Sequence, residues 1–220
     1  MKKENCLVEL DKSLINKYIL KYGEKYSLDD EIVMTAFDHL DNSSTANIAS
    51  KAIVLNSLYS AGLNTFKSKK EGVSIDVISM SEILFNYPLG AEIIDHSRAK
   101  SIIKKVNDQC MHKNKSKATS FVSKFIFCHN MTCGCKESDN IPMYDSYLKS
   151  LLYYYNQKYG FTIIFSQEEI ADYDFFFQVH KVFLNYCNKM TEASFSARDI
   201  DKFVWIQGKE LKEQGIDMTF

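Results

Sequence analysis

Punctuation is what this sequence lacks. Two prolines and eight glycines are all that interrupt 220 residues. Those residues make the tight turns of sandwiches and barrels, so their scarcity argues against a fold of many short strands and for a helical one. Side-chain spacing agrees. Over residues 47–61, Ile48, Ala52, Leu55, Leu58 and Tyr59 recur at steps of three and four, and Gly62 stops the run. Residues 98–110 carry Ala99, Ile102, Ile103, Val106 and Cys110 on one side, with Lys100, Lys104 and Lys105 away from it. Residues 119–128 carry Phe121, Val122, Phe125 and Cys128.

Capping signals divide the rest. Ser79 with Glu82 reads as a capping box ahead of Ile83 and Leu84, and Pro88 and Gly90 break the chain soon after. A polar loop over residues 130–140 holds Gly134 and ends at Pro142. Asp145 then stands where an N-cap belongs, before Tyr147, Leu148, Leu151, Leu152 and Tyr155. Ser166 with Glu169 reads as a second box, ahead of Phe175, Phe176, Val179, Val182, Phe183 and Tyr186. Ser196 with Asp199 caps a last helix through Phe203, Val204 and Leu211. The segment 161–165 is β-prone but has no partner strand. The expected fold is all-α, with about eight to ten helices.

Hydrophobic residues make up 45% of the chain and charged residues 25%, as in a folded globule with one domain or two small lobes. No run of about 18 apolar residues exists, so no membrane span is expected. No apolar signal core follows Met1, so a cytoplasmic location is expected. Six cysteines in a chain long enough to bury a core read as reduced thiols. Cys128, His129, Cys133 and Cys135 could supply four metal ligands. However, Cys133-Gly134-Cys135 is tighter than the paired elements of structural zinc sites, and a thiol-bearing loop without metal is the favoured reading.

The net charge of −1 excludes a globally basic nucleic-acid coat but not a local basic face. Between Arg98 and Lys124 lie Arg98, Lys100, Lys104, Lys105, Lys113, Lys115, Lys117 and Lys124, against a single acid, Asp108. The run crosses two expected helices and the turn between them. Lysines together with the N–H groups of a helix start bind phosphate; a solvated helix face is the competing reading. Asp145, a carboxylate at another helix start, has two readings as well. It is a cap, or it faces a sugar that becomes cationic as a glycosidic bond breaks.

Three segments carry a resemblance. His96 to Lys104 is similar to the basic helix ahead of the hairpin in the helix-hairpin-helix (HhH-GPD) superfamily of DNA glycosylases. Ser120 to Phe127 resembles the helix after that hairpin, and Ile141 to Tyr147 the stretch holding the catalytic aspartate, which maps to Asp145. Upstream, Leu58 to Gly62 resembles the helix end that inserts a residue into the gap left by a flipped base, with Tyr59 as the wedge and Asn56 one turn earlier. The chain departs from the pattern in having no glycine between Cys110 and Thr119, where the family has a glycine-rich hairpin, and no C-terminal iron–sulfur cysteines. Ser120 to Phe125, Tyr144 to Tyr147 and Asp201 to Trp205 further resemble a bacterial branch of antiviral glycosylases that remove hypermodified cytosines from phage DNA.

The resemblance implies two helical lobes with a DNA-binding cleft between them and a shortened hairpin, all within one domain over residues 1–220. The hairpin region is placed at about residues 96–130 and the aspartate helix at about 145–156. It implies a monomeric enzyme that needs no cofactor, binds double-stranded DNA, flips a modified base and leaves an abasic site. Asp145 is the expected catalytic residue. Lys117 and Lys124 are the candidates for a Schiff-base nucleophile, with phosphate contact as the favoured role for both and a monofunctional enzyme as the expectation. Asn56, Tyr59, Ser123, Tyr144 and Tyr147 are expected around the base, and Arg98, Lys100, Lys104, Lys105, Lys113 and Lys115 on phosphates. The alternative is a non-catalytic all-helical module that binds nucleic acid or protein.

Overall fold

The computed structural model describes residues 3–59, 63, 76–87, 89–109, 115–161, 165–166 and 168–218. Among these there are eight α-helices: α1 (Lys12–His39), α2 (Thr45–Tyr59), α3 (Val77–Phe85), α4 (His96–Asp108), α5 (Lys115–Thr132), α6 (Ser146–Tyr159), α7 (Tyr173–Thr191) and α8 (Ala197–Glu213). Short 3-10 turns lie at Lys3–Cys6, Glu137–Asp139 and Glu169–Ala171. The described residues contain no β-strand, and the middle of the β-prone segment, residues 162–164, lies outside them. The protein is all-α. No described helix is long and apolar enough to cross a membrane.

The chain forms two compact units, one of residues 1–26 with 137–220 and the other of residues 27–136. In the first, α6, α7 and α8 bury Leu151, Tyr155, Phe176, Val179, Phe183, Ile200, Phe203 and Val204, with Ile15 and Tyr18 of α1. Aromatic rings fill its centre: Tyr155 stacks on Phe183 at 5.2 Å, and Tyr18 lies 5.6 Å from Phe203. In the second unit, α4 presents Ala99, Ile102, Ile103 and Val106 to the core, and α2 presents Ile48, Ala52 and Leu55. Every residue of α5 from Phe121 to Asn130 is buried. A helix surrounded on all sides cannot be amphipathic, and truncating a large apolar side chain in it to alanine should cost about 2–5 kcal/mol.

Several helix starts follow the expected caps. Asp145 caps α6, and Ser196 with Asp199 makes a complete capping box on α8. Gly160, at φ 60°, ends α6 in the left-handed conformation that glycine adopts without strain. Two assignments are corrected. The cap of α3 is Asp76, which accepts from Ser79 N, so Ser79 is a capped residue within the helix. The Ser166–Glu169 box exists, but it opens only the turn Glu169–Ala171; Asp172 caps the long helix α7.

One device recurs at helix ends. Asn56 sits on the last turn of α2; its Oδ1 accepts from Leu63 N and its Nδ2 donates to Leu63 O, both at 2.9 Å. Asn188, on the last turn of α7, does the same to Phe195, again seven residues on. Asn130 of α5 clasps Ile94 in the same way. Each amide satisfies both backbone groups of one residue that has left regular structure.

Candidate functional site

Asp145 begins at the backbone that leads to it. Residues 141–145 precede the helix in irregular backbone, and the first four are buried. Side chains of the same unit take up their polar groups. Met143 N donates to Asp201 Oδ2 at 3.1 Å, and the Tyr173 hydroxyl donates to Pro142 O at 3.2 Å. The Tyr144 hydroxyl donates to Ala171 O at 3.4 Å. Asp201 is held in turn by His180, with Nε2 2.9 Å from Oδ1. Burial, and then the Asp201 charge, hold the Tyr173 hydroxyl far above the ordinary tyrosine range, so it remains a donor.

At the end of this stretch Asp145 adopts φ −141° and ψ 150°, and its Oδ1 accepts from Tyr147 N at 2.8 Å. The carboxylate is half-buried at the positive end of α6, where a negative charge is favoured. Tyr147 is half-buried, and its Cβ and Cγ lie against Gly208 of α8. Tyr144 is different. It has no exposed surface and packs edge-on against Phe176 at 5.0 Å, so it belongs to the core of the first unit.

The remaining candidates belong to the second unit. Lys124 is 4% exposed, and its Nζ donates to Tyr59 O, the last carbonyl of α2, at 3.1 Å. An ammonium on a helix C-terminus meets both the dipole and an unsatisfied carbonyl. The Tyr59 hydroxyl donates to Asp30 Oδ1 at 2.6 Å, so Tyr59 is held at both ends. Residues 60–62, which complete the wedge motif, lie outside the described residues. Asn56 is committed to Leu63. Ser123 is buried and donates to Ser120 O within its own helix.

Lys100, Lys104 and Lys105 are exposed on α4, on the side away from its buried stripe. Lys105 Nζ lies 5.4 Å from the Tyr87 ring. Arg98 forms an exposed ion pair with Glu92 at 3.5 Å. Lys117 is exposed on the first turn of α5. Lys115 opens that helix with a side chain that is not described, and the expected turn, with Cys110 and Lys113, lies outside the described residues.

Within the cysteine group His129 and Cys133 meet, with Sγ 3.5 Å from Nε2. Cys128 is buried, and Cys135 donates to Lys136 O. No group of three or more metal-ligating side chains occurs among the described residues. His129 faces Asn42 at 3.4 Å and Glu92 O at 3.2 Å. Burial pushes its pKa down, against the Glu92 carbonyl, and the Lys51 and Arg98 charges add to the depression. Lys51 itself was not anticipated. It occupies the stripe of α2 between Ile48 and Leu55, is 2% exposed, and donates to Asn42 Oδ1 at 2.9 Å. Burial lowers its pKa, although the Asp41 charge opposes the shift. A lysine on an apolar stripe was the available signal. Asp201 and His180 were missed for a different reason: their partners, each other and the Met143 N–H, lie far away in sequence.

Comparison with protein-family models, with curated proteins and with solved structures finds no match to this chain.

Proposed function

We propose that the protein is a monofunctional DNA glycosylase of the helix-hairpin-helix kind. The observation that carries the reading is the placement of Asp145. It is a half-buried carboxylate on a helix N-terminus, at the end of a backbone stretch braced from α7 and α8. Glycosidic cleavage at a nucleoside builds positive charge on the sugar, and a fixed carboxylate stabilises that charge and orients the attacking water. The second unit supplies Lys100, Lys104 and Lys105, exposed along one helix face, for phosphates. Lys124 is a structural donor in this reading and not a nucleophile, because its ammonium is buried and bonded to Tyr59 O. The substrate is duplex DNA with a modified base, and glucosylated hydroxymethylcytosine is the first candidate.

The test is incubation with duplexes that differ in base modification, including glucosylated hydroxymethylcytosine, followed by alkali to reveal abasic sites. Wild type is expected to cut at one class of base. Asp145→Asn keeps a capping side chain and removes the charge, so it is expected to bind DNA and cut nothing. Equal activity of the two proteins, or inertness of wild type on every duplex, would leave a non-catalytic helical binding module as the reading.

A further inference from the structure

Burying a carboxylate is expensive, and hydrophobic side chains of similar volume often pack as well as a buried pair of this kind. Asp201 and His180 are nevertheless 3% and 2% exposed inside the first unit. Packing does not explain their chemistry, but their contacts do. Asp201 uses Oδ2 on the backbone N–H of Met143, two residues before Asp145, and Oδ1 on His180 Nε2. Tyr173 holds the adjacent carbonyl, Pro142 O, and is itself 5% exposed. The single peptide group that joins Pro142 to Met143 is therefore bonded at its carbonyl and at its N–H to side chains from two helices, and the direction in which the chain reaches Asp145 is set by those bonds.

We propose that Asp201 and His180 are positioning residues for the Asp145 carboxylate. Asp201 fixes the Met143 peptide, and His180 fixes the rotamer of Asp201. This inference rests on the glycosylase reading. A carboxylate that stabilises a developing charge must already be in place when the charge appears, and a displacement of about 1 Å costs about 100-fold in rate. The chemistry at residue 201 that matters is a hydrogen-bond acceptor for Met143 N. Asparagine retains it and alanine does not.

The test uses the full chain and a duplex carrying glucosylated hydroxymethylcytosine, under single-turnover conditions. Asp201→Ala is expected to release base about 100-fold more slowly, with DNA affinity within about twofold of wild type. Asp201→Asn is expected to restore most of the rate. Val179→Ala, a core deletion one residue before His180, is expected to lower the melting temperature while releasing base at close to the wild-type rate. Independently of activity, amide exchange over residues 143–147 is expected to accelerate in Asp201→Ala. If that variant does not fold, His180→Gln is read in the same way. Three results would overturn the inference while leaving the glycosylase reading intact: an Asp201→Ala rate equal to wild type, a loss no larger than that of Val179→Ala, or unaltered exchange. Wild type inert on every duplex overturns both, and Asp145→Asn as active as wild type overturns the glycosylase reading first.

Discussion

Lys124 Nζ is bonded to the backbone carbonyl of Tyr59, 3.1 Å away and 65 residues earlier in the chain. The bond ties the most buried helix of the second unit to the end of α2, and it commits the ammonium. Replacing Lys124 with methionine leaves a terminal carbonyl of α2 without its donor, so a loss of about 1–3 kcal/mol in urea unfolding is expected. Borohydride added during reaction with substrate DNA is expected to trap no covalent adduct. An adduct mapping to Lys124 or to exposed Lys117 would show a bifunctional enzyme.

The cap predicts a separation between stability and activity at Asp145. Its Oδ1 accepts from Tyr147 N. Asparagine caps about as well as aspartate, so Asp145→Asn is expected to unfold within about 0.5 kcal/mol of wild type, whereas Asp145→Ala is expected to lose about 1 kcal/mol. Base release is expected to vanish in both. Chemical denaturation and the alkali assay read the two effects independently, and an Asp145→Asn variant that loses stability and activity in proportion would reduce the residue to a cap.

Neutralising Lys100, Lys104 and Lys105 together addresses the basic face. All three are exposed on α4, away from its buried residues. Each lysine that contacts a phosphate contributes about 0.9 to the slope of log K against log salt, so the triple glutamine variant is expected to flatten that slope by up to about 2.7. An unchanged slope would mean that DNA binds elsewhere on the protein.

What was legible in the sequence was local. Asp145 and Ser196 act on N–H groups two and three residues away, so their spacing alone announced them. The stripes of α4, α6 and α7 were legible for the same reason. Helix α1, the longest among the described residues, carries no such signal. Its buried residues fall into two groups, Ile15, Tyr18 and Tyr22, then Val33 and Phe37, with exposed Leu28 and Ile32 between them, so no single stripe runs its length. The cap of α3 was misplaced because Asp76 lies just upstream of the serine that looked like one. At the candidate site, residue types were legible but partners were not. Asn56 looked available to a base and instead clasps Leu63; Tyr144 looked like a stacking platform and lies in the core. Those outcomes depend on contacts that helix periodicity does not encode.

His129 makes the second unit acid-sensitive. Its pKa is depressed in the folded protein, chiefly by burial. The unfolded chain, near the ordinary value of about 6.5, therefore binds the proton more readily. The contribution is fully present above about pH 6.5 and is lost as pH falls from there through the depressed folded value. Melting temperatures between pH 8 and pH 5 are expected to fall more steeply for wild type than for His129→Gln, which does not titrate. Parallel curves would show that His129 is not the group responsible.

Gly208 is the remaining test of how the aspartate helix is seated. A Cβ built on it would come within 2.8 Å of Cβ and Cγ of Tyr147, so α8 approaches α6 as closely as it does only because residue 208 has no side chain. Alanine is the better helix former by about 1 kcal/mol, which favours Gly208→Ala if packing is ignored. Overpacking against an aromatic stem costs about 1–3 kcal/mol, and since the clash is with the inner atoms of the side chain, the overlap is not relieved by rotating a flexible end. The single variant is therefore expected to be destabilised. Combining it with Tyr147→Ala removes Cγ and the ring, leaving only the Cβ contact, so the double variant is expected to be more stable than the sum of the two single losses. Additive losses would mean that Tyr147 does not rest on Gly208. Because Tyr147 N donates to Asp145, any shift that Gly208→Ala forces on Tyr147 is transmitted to the carboxylate. Base release by the folded fraction of Gly208→Ala is accordingly expected to fall, while DNA affinity holds.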